Sequence, residues 1–216
     1  MKRLLFTVAL MLALGAMASA TVELDLTSDG STTGVIVGAP CGTETCVSFS
    51  GTVGVWTINL TAGDSAGPGN PTMDLSSLNA TTSGSAASLD IELSDNGFTS
   101  SSTGWNLQSS GNLVSGTGTA TFSGYVDNGN TDFAKTTLKG TLGPFSASYA
   151  ASKQVTATAT PKYALTEDVV LTAGTGGVKW STDSSEAPVP EPGSLLLLGS
   201  GLLGLASFAR KKLFKG

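Results

Sequence analysis

The chain of 216 residues contains no histidine. That excludes Ser-His-Asp and Cys-His nucleophilic catalysis and every metal centre built on imidazole. Cysteine is nearly absent too: Cys41 and Cys46 stand alone, with no second pair to complete a zinc shell. Positive charge is scarce where it would matter. Between Thr21 and Val189 there is no arginine, and five lysines face fifteen Asp and Glu, a net charge of −10. Such a surface repels phosphate backbones, so nucleic acid is excluded as a partner. No Ser-x-x-Lys occurs in that region, and no cofactor is expected. Paired carboxylates for glycoside cleavage would be the remaining enzymatic option. Their best candidate, Glu92, alternates with Ile91 and Leu93 on the face that carries Asp90, which a solvated sheet face explains. A secreted hydrolase is therefore the weakest reading, and the protein is expected not to be an enzyme.

Long apolar runs are missing except at the two ends. At the start, Lys2 and Arg3 precede an apolar stretch from Leu4 to Gly15, and Ala18-Ser19-Ala20 supplies small residues at −3 and −1 of a cleavage site. This is the pattern of a secretory signal peptide, residues 1–20, cut after Ala20. No cysteine adjoins the junction to carry a lipid anchor. Export places Cys41 and Cys46 in an oxidising compartment, where a pair this close is expected to form a disulfide. The closed loop is small, so the stabilisation is only roughly 2 kcal/mol.

The body of the chain, 21–180, is rich in Gly, Ser and Thr and alternates in short stretches. Val22, Leu24 and Leu26 do so, as do Leu89, Ile91 and Leu93, then Phe145, Ala147 and Tyr149, then Val155, Ala157 and Ala159. Period-two alternation is the signal of half-buried strands. From Val47 to Leu60 the apolar positions shift from odd to even near Gly54, which predicts a bulge or bend. Turn signals such as Asp95-Asn96-Gly97 punctuate the strands. The expectation is one all-β domain, an antiparallel β-sandwich or jelly roll. Thr99 to Thr119 reads as a long surface loop or a poorly patterned strand pair, and 181–189 reads as a linker.

Two candidate sites lie in this domain. Trp105, inside the polar run, is the candidate ligand contact, whereas Trp56 and Trp180 alternate with apolar neighbours and belong to the core. Asp127, Asn130 and Asp132 gather oxygens in one loop and form a weak calcium candidate. The same residues suit a hairpin turn between Tyr125-Val126 and Phe133.

The tail, 190–216, has three parts in order. Pro190-Glu191-Pro192 comes first, its prolines blocking helix and holding the chain extended. An apolar span, 194–209, follows; as a helix it would cover about 24 Å at 1.5 Å per residue, slightly under the ~30 Å hydrocarbon core. Arg210, Lys211, Lys212 and Lys215 close it, a basic end that the positive-inside rule keeps cytoplasmic. The letters G-x-G-x-x-G at 199–204 fall inside this span, without the strand and amphipathic helix of a dinucleotide site.

This order resembles the PEP-CTERM sorting signal of exopolysaccharide-producing Gram-negative bacteria. The resemblance covers only the last 27 residues or so and implies nothing about the domain before them. It implies a partner, a membrane-embedded exosortase, which is a transpeptidase-like cysteine enzyme that removes the transmembrane anchor. It also implies a destination at the cell surface or in an exopolysaccharide or biofilm matrix. A carbohydrate-binding module gripping that polysaccharide is the alternative role for the domain.

Overall fold

The computed structural model describes residues 21–84, 86–189 and 200–201. Ala18, Ala20, Pro190-Glu191-Pro192, the basic residues of the tail and all but two residues of the apolar span lie outside the described residues. Among the described residues, no helix is long and apolar enough to cross a membrane.

Among the described residues, twelve antiparallel strands form one connected, curled sheet. They are β1 (Glu23–Ser28), β2 (Ser31–Thr32), β3 (Ile36–Val37), β4 (Ala39–Cys41), β5 (Glu44–Val53), β6 (Trp56–Ser65), β7 (Met73–Thr82), β8 (Ala87–Phe98), β9 (Ser102–Asp127), β10 (Thr137–Phe145), β11 (Tyr149–Ala159) and β12 (Tyr163–Pro188). The organising pair is β9 with β12, two 26-residue strands hydrogen-bonded from Ala164↔Asp127 to Pro188↔Trp105. Each belongs to both layers of a sandwich. The first half of β12 takes β8 on its other side and the second half takes β7. Likewise β9 takes β11 along its first half and β10 along its second. One layer is thus β10, late β9, early β12, β8 and β1. The other is β11, early β9, late β12, β7, β6, β5 and β4.

The bend between layers falls where both long strands are glycine-rich, and the ladder shifts register between Ala173 and Val178. Gly177 has φ +74°, and a Cβ there would run into the Thr82 carbonyl. Only glycine takes such a position without strain. Between the layers the apolar alternation closes into one core. Leu24, Leu26, Leu89, Ile91, Leu93, Trp56 and Trp180 are all fully buried, each worth about 1.5–3 kcal/mol relative to exposure. Leu93 of β8 reaches across to Gly63 of β6, and Gly140 of β10 lies against Leu107 of β9 and Val155 of β11. Cys41 and Cys46 are joined across the β4–β5 hairpin, with Cα atoms 5.8 Å apart.

Four expectations need correction. The shift near Gly54 is not a bulge but a two-residue hairpin with Val53 opposite Trp56. Cross-strand partners share a face, so an odd position hands over to an even one. Phe145 to Tyr149 is not a strand but the corner between β10 and β11, where the two rings stack at 4.0 Å. Thr99 to Thr119 is neither an open loop nor a strand pair; its larger part is the first half of β9. The supposed linker is strand as well, for Ser181 to Pro188 completes β12 and the domain runs on through these residues. There Thr182 and Ser184 take the inward positions, and the Thr182 hydroxyl donates to the Ser110 carbonyl at 2.9 Å. A hydrogen-bonded hydroxyl can occupy a core site that an apolar side chain would otherwise mark.

Candidate functional site

Trp105 lies at the heart of the domain. It is completely buried in β9, its indole N–H donates to the Ala157 carbonyl at 2.9 Å, and Tyr163 meets it edge-on. No ring face is left for a sugar, so the expected exposed ligand contact is corrected to a core residue. Among the described residues no aromatic side chain stands among the large exposed hydrophobics, which are Val35, Val37, Val55, Val114 and Leu138.

The oxygens of the 127–132 loop are engaged by separate protein donors. Asp127 accepts from the Thr131 N–H at 2.9 Å and the Thr136 hydroxyl at 2.8 Å. Burial pushes its carboxyl up, but these bonds and one from Gly129 outweigh it and hold it below the ordinary range. Asn130 accepts from the Gly97 N–H at 2.7 Å, and Asp132 accepts from Asn96 and Ser94. The loop is a turn stitched onto the end of β8.

A tighter acidic group sits on the outer face of the first layer. Asp90 and Glu92 of β8 and Asp168 of β12 bring their carboxylates together. The cation they share is the Lys135 ammonium, 2.6 Å from Asp168, bonded to Glu92 and 3.9 Å from Asp90. Burial, and then the neighbouring Asp168, push the Asp90 carboxyl up to about 7. Glu92 thus faces outward beside Asp90, as its alternation requires, but a lysine covers it.

Between the layers lies a charged group with no counterpart in the sequence reading. Lys139 of β10 and Glu186 and Glu167 of β12 are buried in the core, with the Lys139 ammonium 2.5 Å from Glu186 and 4.3 Å above the Trp105 ring. The Ser184 hydroxyl donates to Glu167 at 3.1 Å. The inward turn of Lys139 comes from a register shift in the β9–β10 ladder between Leu138 and Gly140. No period-two pattern could have announced it. A shallow polar groove of about 440 Å³ on the outer face of the second layer is lined by Asp74, Gln108, Ser110, Ser152, Asp183 and Ser185 among others.

The fold holds its C-terminal strand to the end. Pro188 is still paired with Trp105, and the Val189 N–H donates to the Gly104 carbonyl at 2.8 Å. The next residue is Pro190. The family model that matches the chain begins at this same place and is described as the PEP-CTERM protein-sorting motif. Residues 188–211 are a PEP-CTERM sorting motif. The motif implies export and sorting to the cell surface, and it is a substrate signal for exosortase-like processing. In this protein the PEP-CTERM motif is flush with the fold, starting on the last residue of β12.

The sequence has no match among curated proteins. By structure the chain is similar to TmCBM61, solved with beta-1,4-galactotriose, at 7% identity, over 63% of this chain and 88% of that one, with a TM-score of 0.36. It is also similar to TmCBM27, a mannan-recognising carbohydrate-binding module, at 9% identity over 68% and 90%, TM-score 0.31. A third is the N-terminal cellulose-binding domain of Cellulomonas fimi β-1,4-glucanase C, at 16% over 71% and 99%, TM-score 0.30. Scores this low carry no argument about a ligand, and the sandwich rests on the strand pairing above.

Proposed function

We propose that the chain is a non-enzymatic surface or extracellular-matrix protein, delivered by its PEP-CTERM tail into an exopolysaccharide-rich matrix. The observation that carries this reading is the sorting motif at residues 188–211, joined without a linker to a closed β-sandwich. The absence of histidine and the pairing of the Asp90, Glu92 and Asp168 carboxylates with Lys135 support a non-catalytic domain. The Pro190-Glu191-Pro192 segment would be presented to the exosortase-like enzyme, and the apolar span would hold the chain in the membrane until it is cut. Replacing Pro190, Glu191 and Pro192 together by alanine tests this in the producing cell. The unprocessed chain should then accumulate in the membrane fraction and vanish from the surface. Unchanged surface delivery would refute the reading.

A second reading is favoured by the groove beside Gln108 and Asp183, whose hydroxyl, amide and carboxylate lining suits sugar hydroxyls. Binding to the producer's own polysaccharide that is lost in Gln108→Ala would support it. No binding by the native protein would dismiss it.

A further inference from the structure

The burial of Lys139, Glu186 and Glu167 is difficult to explain as an ordinary ion pair. The β10 strand turns its apolar Leu138 outward, 53% exposed, and its lysine inward, 6% exposed. This inversion is produced by the irregularity between Leu138 and Gly140, and bulges re-aim side chains in this way. Opposite, Gly124 leaves the space, since a Cβ there would meet the Glu186 carboxylate and the Lys139 Cε. The ammonium nitrogen and Glu186 Oε2 are 2.5 Å apart and form an ion pair shut away from water. Beside that pair, Glu186 Oε1 and Glu167 Oε1 are buried without a hydrogen-bond partner. Charges buried this way are strongly disfavoured.

We propose that Lys139 and Glu186 are joined by an intramolecular amide bond, formed after folding with Glu167 as the proton carrier. The neutral Lys139 amine attacks Cδ of the Glu186 carboxylic acid. The new C–N bond replaces the C–OH bond, Glu167 takes up the amine proton and returns one to the departing hydroxyl, and one water leaves. No oxidant or further reactant is needed. The protonation states agree with the surroundings. Burial pulls the Lys139 ammonium below its ordinary range, against the pull of both glutamates. It pushes Glu186 up despite Lys139, and it pushes Glu167 well up, with Glu186 adding to the shift. The product is a neutral amide in place of two buried charges. Glu167 lies across from Gly124 in the same layer as Lys139, and through Ser184 it touches the later half of β12, which carries Glu186 in the other layer. The bond would clamp the two layers together and fix the strand from which the sorting motif begins, two residues after Glu186.

Proteolysis of the exported protein followed by tandem mass spectrometry tests this directly. The expected product is a branched peptide joining the segments around Lys139 and Glu186, lighter than the two together by one water, with no cleavage after Lys139. Recovery of two linear peptides with unmodified Lys139 and Glu186 would overturn the proposal. Lys139→Arg should abolish the branched peptide. Glu167→Gln should slow its appearance by about 100-fold, in the range of general acid–base catalysis. Cross-linking in Glu167→Gln at the native rate would remove Glu167 from the reaction. The native digest decides the bond itself even if a variant fails to fold.

Discussion

Asp64 and Asp74 face each other directly across β6 and β7. Burial, and after it Asp74 and Glu44, raise the Asp64 carboxyl from 3.8 to about 6. A carboxyl raised on folding contributes stability that is present below its unfolded value and lost as pH rises through the folded one. Asp64→Asn should therefore raise the melting temperature at pH 8 and leave it unchanged near pH 4, which thermal unfolding at the two pH values reads out. Lys135 has the opposite role. Although burial pulls its ammonium down, Asp168 and Glu92 hold it above the ordinary range. Lys135→Met would leave Asp168 and its neighbours uncompensated, at a cost of about 2 kcal/mol at pH 8. At pH 5 the loss should be smaller, because Asp90, raised to about 7, then carries a proton and removes one of the repelling charges. Chemical denaturation at both pH values gives the two figures. These pairs could not be seen in the sequence: Asp90 and Glu92 share a legible face, but Lys135 and Asp168 reach it from distant segments.

Comparison of the shorter strands with the two long ones shows where sequence patterning is informative and where it is not. β1 and β8 were legible because leucine and isoleucine alternate with acids. Early β9 and late β12 were not, because serine and threonine fill inward positions and bond to the neighbouring strand, as Ser109 does to the Asp183 carbonyl at 3.1 Å. The same disguise hid Trp105, whose polar neighbours suggested a loop. Trp105→Ala should cost about 3–5 kcal/mol as a core cavity, measured by denaturant unfolding; a change near zero would return the residue to the surface. The bend gives a paired prediction. Gly177→Ala should destabilise by at least ~1–2 kcal/mol from the left-handed backbone alone, with the Thr82 carbonyl adding to it. Gly176, which has open space at its Cβ position, should accept alanine within about 0.5 kcal/mol.

At the scale of the whole molecule, the chain combines a sandwich with an address. The address was the most legible part, since the order of Pro-Glu-Pro, apolar span and basic cluster is local in sequence and needs no tertiary contact to recognise. The junction was not legible: the polar stretch after Trp180 looked like a linker, yet it is the strand that holds the layers together and ends at the motif. On the proposed reading, an exosortase-like enzyme would work close against a folded surface, because Val189 is bonded to Gly104. The most direct measurement is the intact mass of the mature protein from the producing cell. A chain that begins at Thr21 and ends near Pro190 is predicted. A mature chain still reaching Gly216 would contradict the account and leave a permanently anchored protein.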